Sequence, residues 1–128
     1  MTKRLLALIG LCVLTSCIEN GGLSPDKAQL RVRNVSNVSY DEVFVGAGGG
    51  GDREFGRLEP GEYSDYAEFE FVYRYGFLKV EVGQDTLYLI PIDYVGETQY
   101  KRGKFTYEIG LFENRLESGS LTLNFERD

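Results

Sequence analysis

Leu78-Lys79-Val80-Glu81-Val82-Gly83-Gln84-Asp85-Thr86-Leu87-Tyr88-Leu89-Ile90-Pro91-Ile92 decides the fold of this 128-residue chain. Leu78, Val80 and Val82 alternate with Lys79 and Glu81, which is the period of a strand with one face buried and one face wet. Gly83-Gln84-Asp85 then supplies turn chemistry, and an apolar run resumes from Thr86 to Ile92. Two such runs joined by a glycine-containing turn predict an antiparallel hairpin.

The same period extends outward in both directions. Upstream, Leu30 and Val32 alternate with Arg31 and Arg33, and Val43 with Val45 repeats the pattern beyond a turn at 37–40. Ala47 to Arg53 holds four consecutive glycines and reads as a flexible loop. Phe55 to Leu58 reads as a short edge strand, followed by a turn at Glu59-Pro60-Gly61-Glu62. Tyr63 to Tyr75 is a long aromatic alternation with Phe69, Phe71, Tyr73 and Tyr75 on one side. Downstream, Lys104 to Phe112 and Ser120 to Glu126 place Phe105, Tyr107, Ile109 and Leu111, then Leu121, Leu123 and Phe125, toward a core, with 114–119 joining them. About seven short strands with turns between them and no helical period predict an all-β fold, a single antiparallel β-sandwich spanning residues 28–128.

The N-terminus carries a different signal. Met1-Thr2-Lys3-Arg4 is a short positive start, and Leu5 to Leu14 is almost entirely apolar, as in an export signal. About ten apolar residues are too few to span a bilayer, which takes roughly twenty. Leu14-Thr15-Ser16-Cys17 resembles the bacterial lipobox, in which cleavage between Ser16 and Cys17 leaves a cysteine whose thiol is acylated. The resemblance implies a signal peptide over residues 1–16, lipidation at Cys17, and a membrane partner reached through the lipid. More than one acyl chain gives durable anchoring where a single chain is reversible. Residues 17–27 then form a tether, since Asn20-Gly21-Gly22 and Ser24-Pro25-Asp26 show neither helical nor strand period.

Composition limits the chemistry. The chain carries 14 basic and 20 acidic side chains, and loss of Lys3 and Arg4 with the signal leaves a mature net charge of −8. That surface repels nucleic acid and anionic lipid. Histidine is absent from the sequence. Cys12 would leave with the signal and Cys17 would carry lipid. Ser-His-Asp and Cys-His catalysis and ordinary zinc sites are therefore not expected, and neither is a cofactor.

Leu30 to Ser36, Leu58 to Ser64, Tyr73-Arg74-Tyr75 and Ile90 to Glu97 together resemble small lipoproteins of the Bacteroidota whose domain is similar to immunoglobulin-like or transthyretin-like sandwiches. The resemblance implies a location in the cell envelope, most naturally the outer membrane because Ile18 after Cys17 is not the aspartate of inner-membrane retention. It implies no activity.

Among the candidate sites, Pro91-Ile92-Asp93-Tyr94-Val95-Gly96-Glu97 is the most distinctive. It reads as a recognition loop at one end of the sandwich in which Asp93, Tyr94 and Glu97 join Tyr73, Arg74 and Tyr75 to meet a protein or glycan partner. Alternatively, Tyr94 pins a corner by bonding its hydroxyl to the backbone, as sandwich tyrosines do. Glu68 and Glu70, with Asp65 nearby, are the candidate pair for a carboxylate-based glycan hydrolase, although acids alternating with aromatics also describe a solvated strand face. The glycine run before Asp52 lacks the pattern of a phosphate cradle, and Asp52 with Glu54 lacks calcium-loop spacing. Asp85-Thr86-Leu87 resembles a short O-glycosylation sequon at Thr86. Asn34-Val35-Ser36 and Asn37-Val38-Ser39 fit the N-glycosylation pattern, which carries little meaning in a bacterial protein. The sequence thus favours a non-catalytic, lipid-anchored binding module, with an enzyme or a structural component of an envelope assembly as the alternatives.

Overall fold

Val82 and Asp85 pair directly across Gly83 and Gln84, closing the expected hairpin with a two-residue loop. Gly83 takes φ 61° at the first loop position, which a primed turn requires and a side chain resists. The computed structural model describes residues 24–128. The expected signal peptide, with Ser16 and Cys17, and the expected tether up to residue 23 lie outside the described residues.

Among the described residues eight strands form: β1 Ala28–Asn34, β2 Glu42–Gly46, β3 Asp52–Glu54, β4 Ala67–Phe69, β5 Phe77–Val82, β6 Asp85–Leu89, β7 Gly103–Leu111 and β8 Leu121–Arg127. They make two four-stranded sheets, ordered β4-β1-β7-β8 and β3-β2-β5-β6. Packed face to face, the sheets enclose one core. Leu30, Val32, Phe105, Tyr107 and Ile109 from the first sheet meet Val43, Val45, Leu78, Val80 and Leu87 from the second. The alternation along each strand assigns these side chains inward and the charges outward. Among the described residues, no helix is long and apolar enough to cross a membrane.

The all-β sandwich is as the sequence predicts, with one difference in pairing. β1 and β7 run parallel, in register from Ala28↔Gly103 to Asn34↔Ile109, while the other strand pairs are antiparallel. All of the second sheet separates these two strands in sequence, so no hairpin constrains them and the chain returns by a long crossover.

Two elements also differ from the pattern. Between Tyr63 and Tyr75 the ladder is confined to β4, with isolated bridges Arg33↔Tyr63 and Val72↔Tyr100. Phe69, Val72 and Tyr73 are all buried, which no period of two allows, because the chain here leaves the first sheet and crosses toward the second. The edge strand expected at Phe55 to Leu58 forms at Asp52–Glu54 instead. Gly56, at φ 82°, interrupts extended backbone, and Leu58 turns inward to bridge Tyr40.

Buried polar groups fix both ends. The Asn34 amide donates to the Val38 and Leu58 carbonyls at 2.8 and 3.0 Å, and its oxygen accepts from the Ser36 amide and hydroxyl, both at 2.8 Å. The Asn34-Val35-Ser36 stretch is therefore a fully satisfied internal turn. The Tyr40 hydroxyl donates to the Ile109 carbonyl at 2.9 Å, and that of Tyr107 to the Tyr73 carbonyl at 2.7 Å. Burial pushes both phenols above their ordinary range. These two tyrosines hold the backbone through buried hydroxyls, and the Tyr94 hydroxyl also meets backbone, at Phe77, as the corner-pinning reading expects.

Candidate functional site

The loop after β6 is shaped by short-range chemistry. The Asp93 carboxylate accepts from the Val95 amide at 3.1 Å, and the Glu97 amide donates to the Tyr94 carbonyl at 3.0 Å. Gly96 has φ 81° at the third position of that four-residue turn, where a type II turn needs glycine. Glu97 is thereby swung beneath Arg74. The guanidinium donates to it twice, Nε to Oε1 at 2.9 Å and Nη2 to Oε2 at 3.3 Å. This fork-to-fork hydrogen bonding lowers the Glu97 pKa and raises that of Arg74.

The rings complete the arrangement. Tyr94 stacks on Tyr73 with centroids 4.1 Å apart and planes 10° apart, and on Tyr75 at 5.6 Å and 19°. The Tyr75 hydroxyl donates to the Asp93 carbonyl at 3.1 Å. Burial raises the Tyr94 pKa, helped by Tyr75 and Tyr73. Thus Tyr73, Arg74, Tyr75, Asp93, Tyr94 and Glu97 do converge on one place. Arg74 is satisfied by Glu97 and Tyr75 by the Asp93 carbonyl, while the Tyr73 hydroxyl accepts from the Gln99 amide at 3.3 Å and the Asp93 carboxylate from Val95, so most of the cluster is a clamp that holds the loop.

Glycine makes this close packing possible. A Cβ at Gly48 would lie 2.5 Å from the Tyr94 ring, and one at Gly50 would lie 2.0 Å from the Phe71 carbonyl oxygen. The Ala47 amide donates to the Gly51 carbonyl, the Gly50 amide to the Ala47 carbonyl, and the Glu70 amide to the Gly50 carbonyl. The glycine run expected to be flexible is a hydrogen-bonded loop wedged beneath aromatic rings.

What the clamp presents to a ligand is a groove of about 400 Å³ lined by Phe44, Gly46, Gly48, Gly49, Asp52, Phe77, Ile90, Pro91 and Tyr94. It lies on the outer face of the second sheet. Phe44 and Phe77 meet edge to face at 6.0 Å, and Phe77 and Tyr88 are 6.1 Å apart, so three rings form a row. Sequence reasoning missed this row. Its signal was present in Phe44 and Tyr88, aromatic residues at positions the alternation assigns to solvent. Gly46 opposite Phe77 keeps the groove floor low.

The carboxylate pair is placed differently. The Ser24 amide donates to Glu68, and Lys27 pairs with Glu70 at 2.6 Å. Both acids hold the chain entering β1 against β4. Among the described residues no cluster of three or more acids, histidines or cysteines is arranged to hold a metal ion. A second concave area, on the outer face of the first sheet, places Arg31 over Tyr63 at 4.1 Å beside Thr106 and Asp128. Arg31 and Arg127 there are set against Glu108, Glu126 and Asp128, with Arg31 3.6 Å from Asp128, which leaves little net charge to attract a ligand.

Fold and groove together define an all-β sandwich with an aromatic-lined outer face. Comparison with family models, with characterised proteins and with solved structures finds no match for this chain.

Proposed function

We propose that this protein is a non-catalytic, lipid-anchored module of the cell envelope that binds a partner through the groove on its second sheet, and that the occupant is a neutral glycan chain. The observation that carries the reading is the row of Phe44, Phe77 and Tyr88 beside Tyr94 and Asp52. Aromatic faces offer broad apolar area to the C–H faces of sugar rings, while a carboxylate and backbone groups at the rim accept hydroxyl hydrogen bonds. The acidic balance of the mature chain disfavours anionic polymers. The glycan-hydrolase alternative, resting on Glu68 and Glu70, draws no support from acids that are occupied by Ser24 and Lys27.

The test is calorimetric titration of the full chain with a panel of neutral oligosaccharides, alongside Phe77→Ser and Tyr88→Ser. Stacking rings are worth roughly 1 kcal/mol each, so each variant should weaken binding about fivefold. Unchanged affinity in both variants would refute the groove. A protein partner lost on the same substitutions, with no response to any glycan, would replace the occupant and keep the surface.

A further inference from the structure

The loop that frames the groove has a second property, which bears on how the domain is oriented. Ile90, Ile92 and Val95 are 70, 97 and 86 % exposed. Three large aliphatic side chains fall within six residues, around an exposed Asp93, on a loop braced by the Tyr94 stack and the Arg74–Glu97 pair. Isolated exposed aliphatics are ordinary, whereas a cluster on a braced loop marks a contact surface.

The tip of this loop shares one end of the sandwich with the point where the chain enters the fold. Ala28 is in register with Phe69 on β4 and with Gly103 on β7. Just beyond Phe69, the Glu70 amide bonds to the Gly50 carbonyl in the glycine loop, over which Tyr94 lies. Val72 bridges Tyr100, a few residues before Gly103. The Glu68 and Glu70 contacts to Ser24 and Lys27 tie the entering chain to the same end. The opposite end carries the Gly83-Gln84 hairpin turn and the β7–β8 connection.

We propose that this end faces the bilayer and that Ile92 and Val95 enter the boundary between lipid headgroups and acyl chains, with Ile90, which also lines the groove, left at the surface. The inference rests on acylation at Cys17. Seven residues from Cys17 to Ser24 reach at most about 25 Å when fully extended, so an acylated Cys17 confines this end of the domain to the neighbourhood of the membrane surface. Exposed Lys101 and Arg102 lie at the same end and suit lipid phosphates, although the chain as a whole is acidic. Exposed acids are found at both ends, Asp26, Glu70 and Asp93 at this one and Glu62, Asp85, Glu113 and Glu117 at the other, so the apolar side chains and the tether, not charge, set the orientation. An interfacial segment with apolar side chains typically sinks about 5–10 Å below the headgroup level. The groove would then open sideways, close above the membrane.

Site-specific fluorescence tests the orientation. Ile92→Cys and Gln84→Cys place a thiol at the tip and at the opposite turn, and each is prepared in the full chain purified from bacterial membranes with its acyl chains. With Cys12 removed and Cys17 acylated, the new thiol is the free one to label. Each labelled protein is reconstituted into phosphatidylcholine vesicles, with and without phosphatidylglycerol, containing lipids with acyl-attached nitroxide. The expected result is a blue shift and loss of most of the emission at position 92, with position 84 unchanged. Vesicle-bound protein whose position 92 stays unquenched, or is quenched no more than position 84, overturns the orientation and leaves the anchor standing. A chain whose intact mass shows no acyl group and that does not float with vesicles overturns both.

Discussion

Replacing Tyr94 by alanine removes the ring that two neighbours stack on and that roofs the glycine loop. The stacks on Tyr73 and Tyr75 are worth about 0.5–1.5 kcal/mol each beyond area burial. Tyr94 is half-buried, so the apolar area lost is part of the roughly 3–5 kcal/mol that deleting a fully buried ring costs. Together these give a destabilisation of about 2–4 kcal/mol, which for a domain of this size lowers Tm by roughly 10–25 °C. Tyr94→Phe keeps both stacks and should stay within about 1 kcal/mol of the parent. The assay is thermal and urea unfolding followed by far-ultraviolet circular dichroism, with the slope of the urea transition checked for constancy. An alanine variant within about 0.5 kcal/mol of the parent, the size of an ordinary surface change, would show that the stack does not brace the loop and would refute the clamp.

Other consequences are as specific. Tyr107→Phe strands the Tyr73 carbonyl without its 2.7 Å donor and should cost about 1–3 kcal/mol in urea unfolding. Asn34→Ala removes four hydrogen bonds at a fully buried position and should cost about 3 kcal/mol or more, read in the same way. Gly50→Ala drives a Cβ to within 2.0 Å of backbone and should prevent normal folding. Gly56→Ala, with nothing within 4 Å but φ +82°, should cost only about 1 kcal/mol, and comparison of their amide spectra separates the two. The Glu97 carboxyl should titrate below the ordinary carboxylate range because Arg74 hydrogen-bonds it. Its contribution to stability is therefore present above that range and is lost as pH falls through the folded-state pKa. A carbon-detected titration should show this low midpoint rising to the ordinary value in Arg74→Ala.

The strands were legible where a half-buried sheet writes a period of two into the chain. Leu78 to Leu89, Leu30 with Val32, and Phe105 to Leu111 follow it, and each became a strand with the expected face inward. The pairing of β1 with β7 was not legible, because period fixes which face is buried but says nothing about the neighbour in the sheet. Tyr63 to Tyr75 misled for a related reason. Its aromatic alternation is real, but the segment crosses between layers, so Phe69 and the adjacent pair Val72 and Tyr73 are buried on different backbone orientations.

At the candidate site, the sequence brought out six residues that do meet, because Asp, Gly and Glu after a proline carry strong turn chemistry. It did not reveal how they brace one another, since the Arg74–Glu97 fork and the Tyr73–Tyr94 stack join positions distant in sequence. Nor did it assemble Phe44, Phe77 and Tyr88, which come from three strands and share a surface only once β2, β5 and β6 are aligned. The glycine run shows the same limit. Composition marks loop freedom, whereas contact with Tyr94 and Phe71 shows that the glycines are there for close approach.

The most direct test of the central claim is an amide chemical-shift map of the isotopically labelled chain as a neutral envelope glycan is added. Binding at the groove predicts a contiguous response at Phe44, Gly46, Gly48, Gly49, Asp52, Phe77, Tyr88 and Ile90, with the glycan recovered intact. A response centred on Arg31, Tyr63 and Thr106, or on Glu68 and Glu70 with shortening of the glycan, would contradict it.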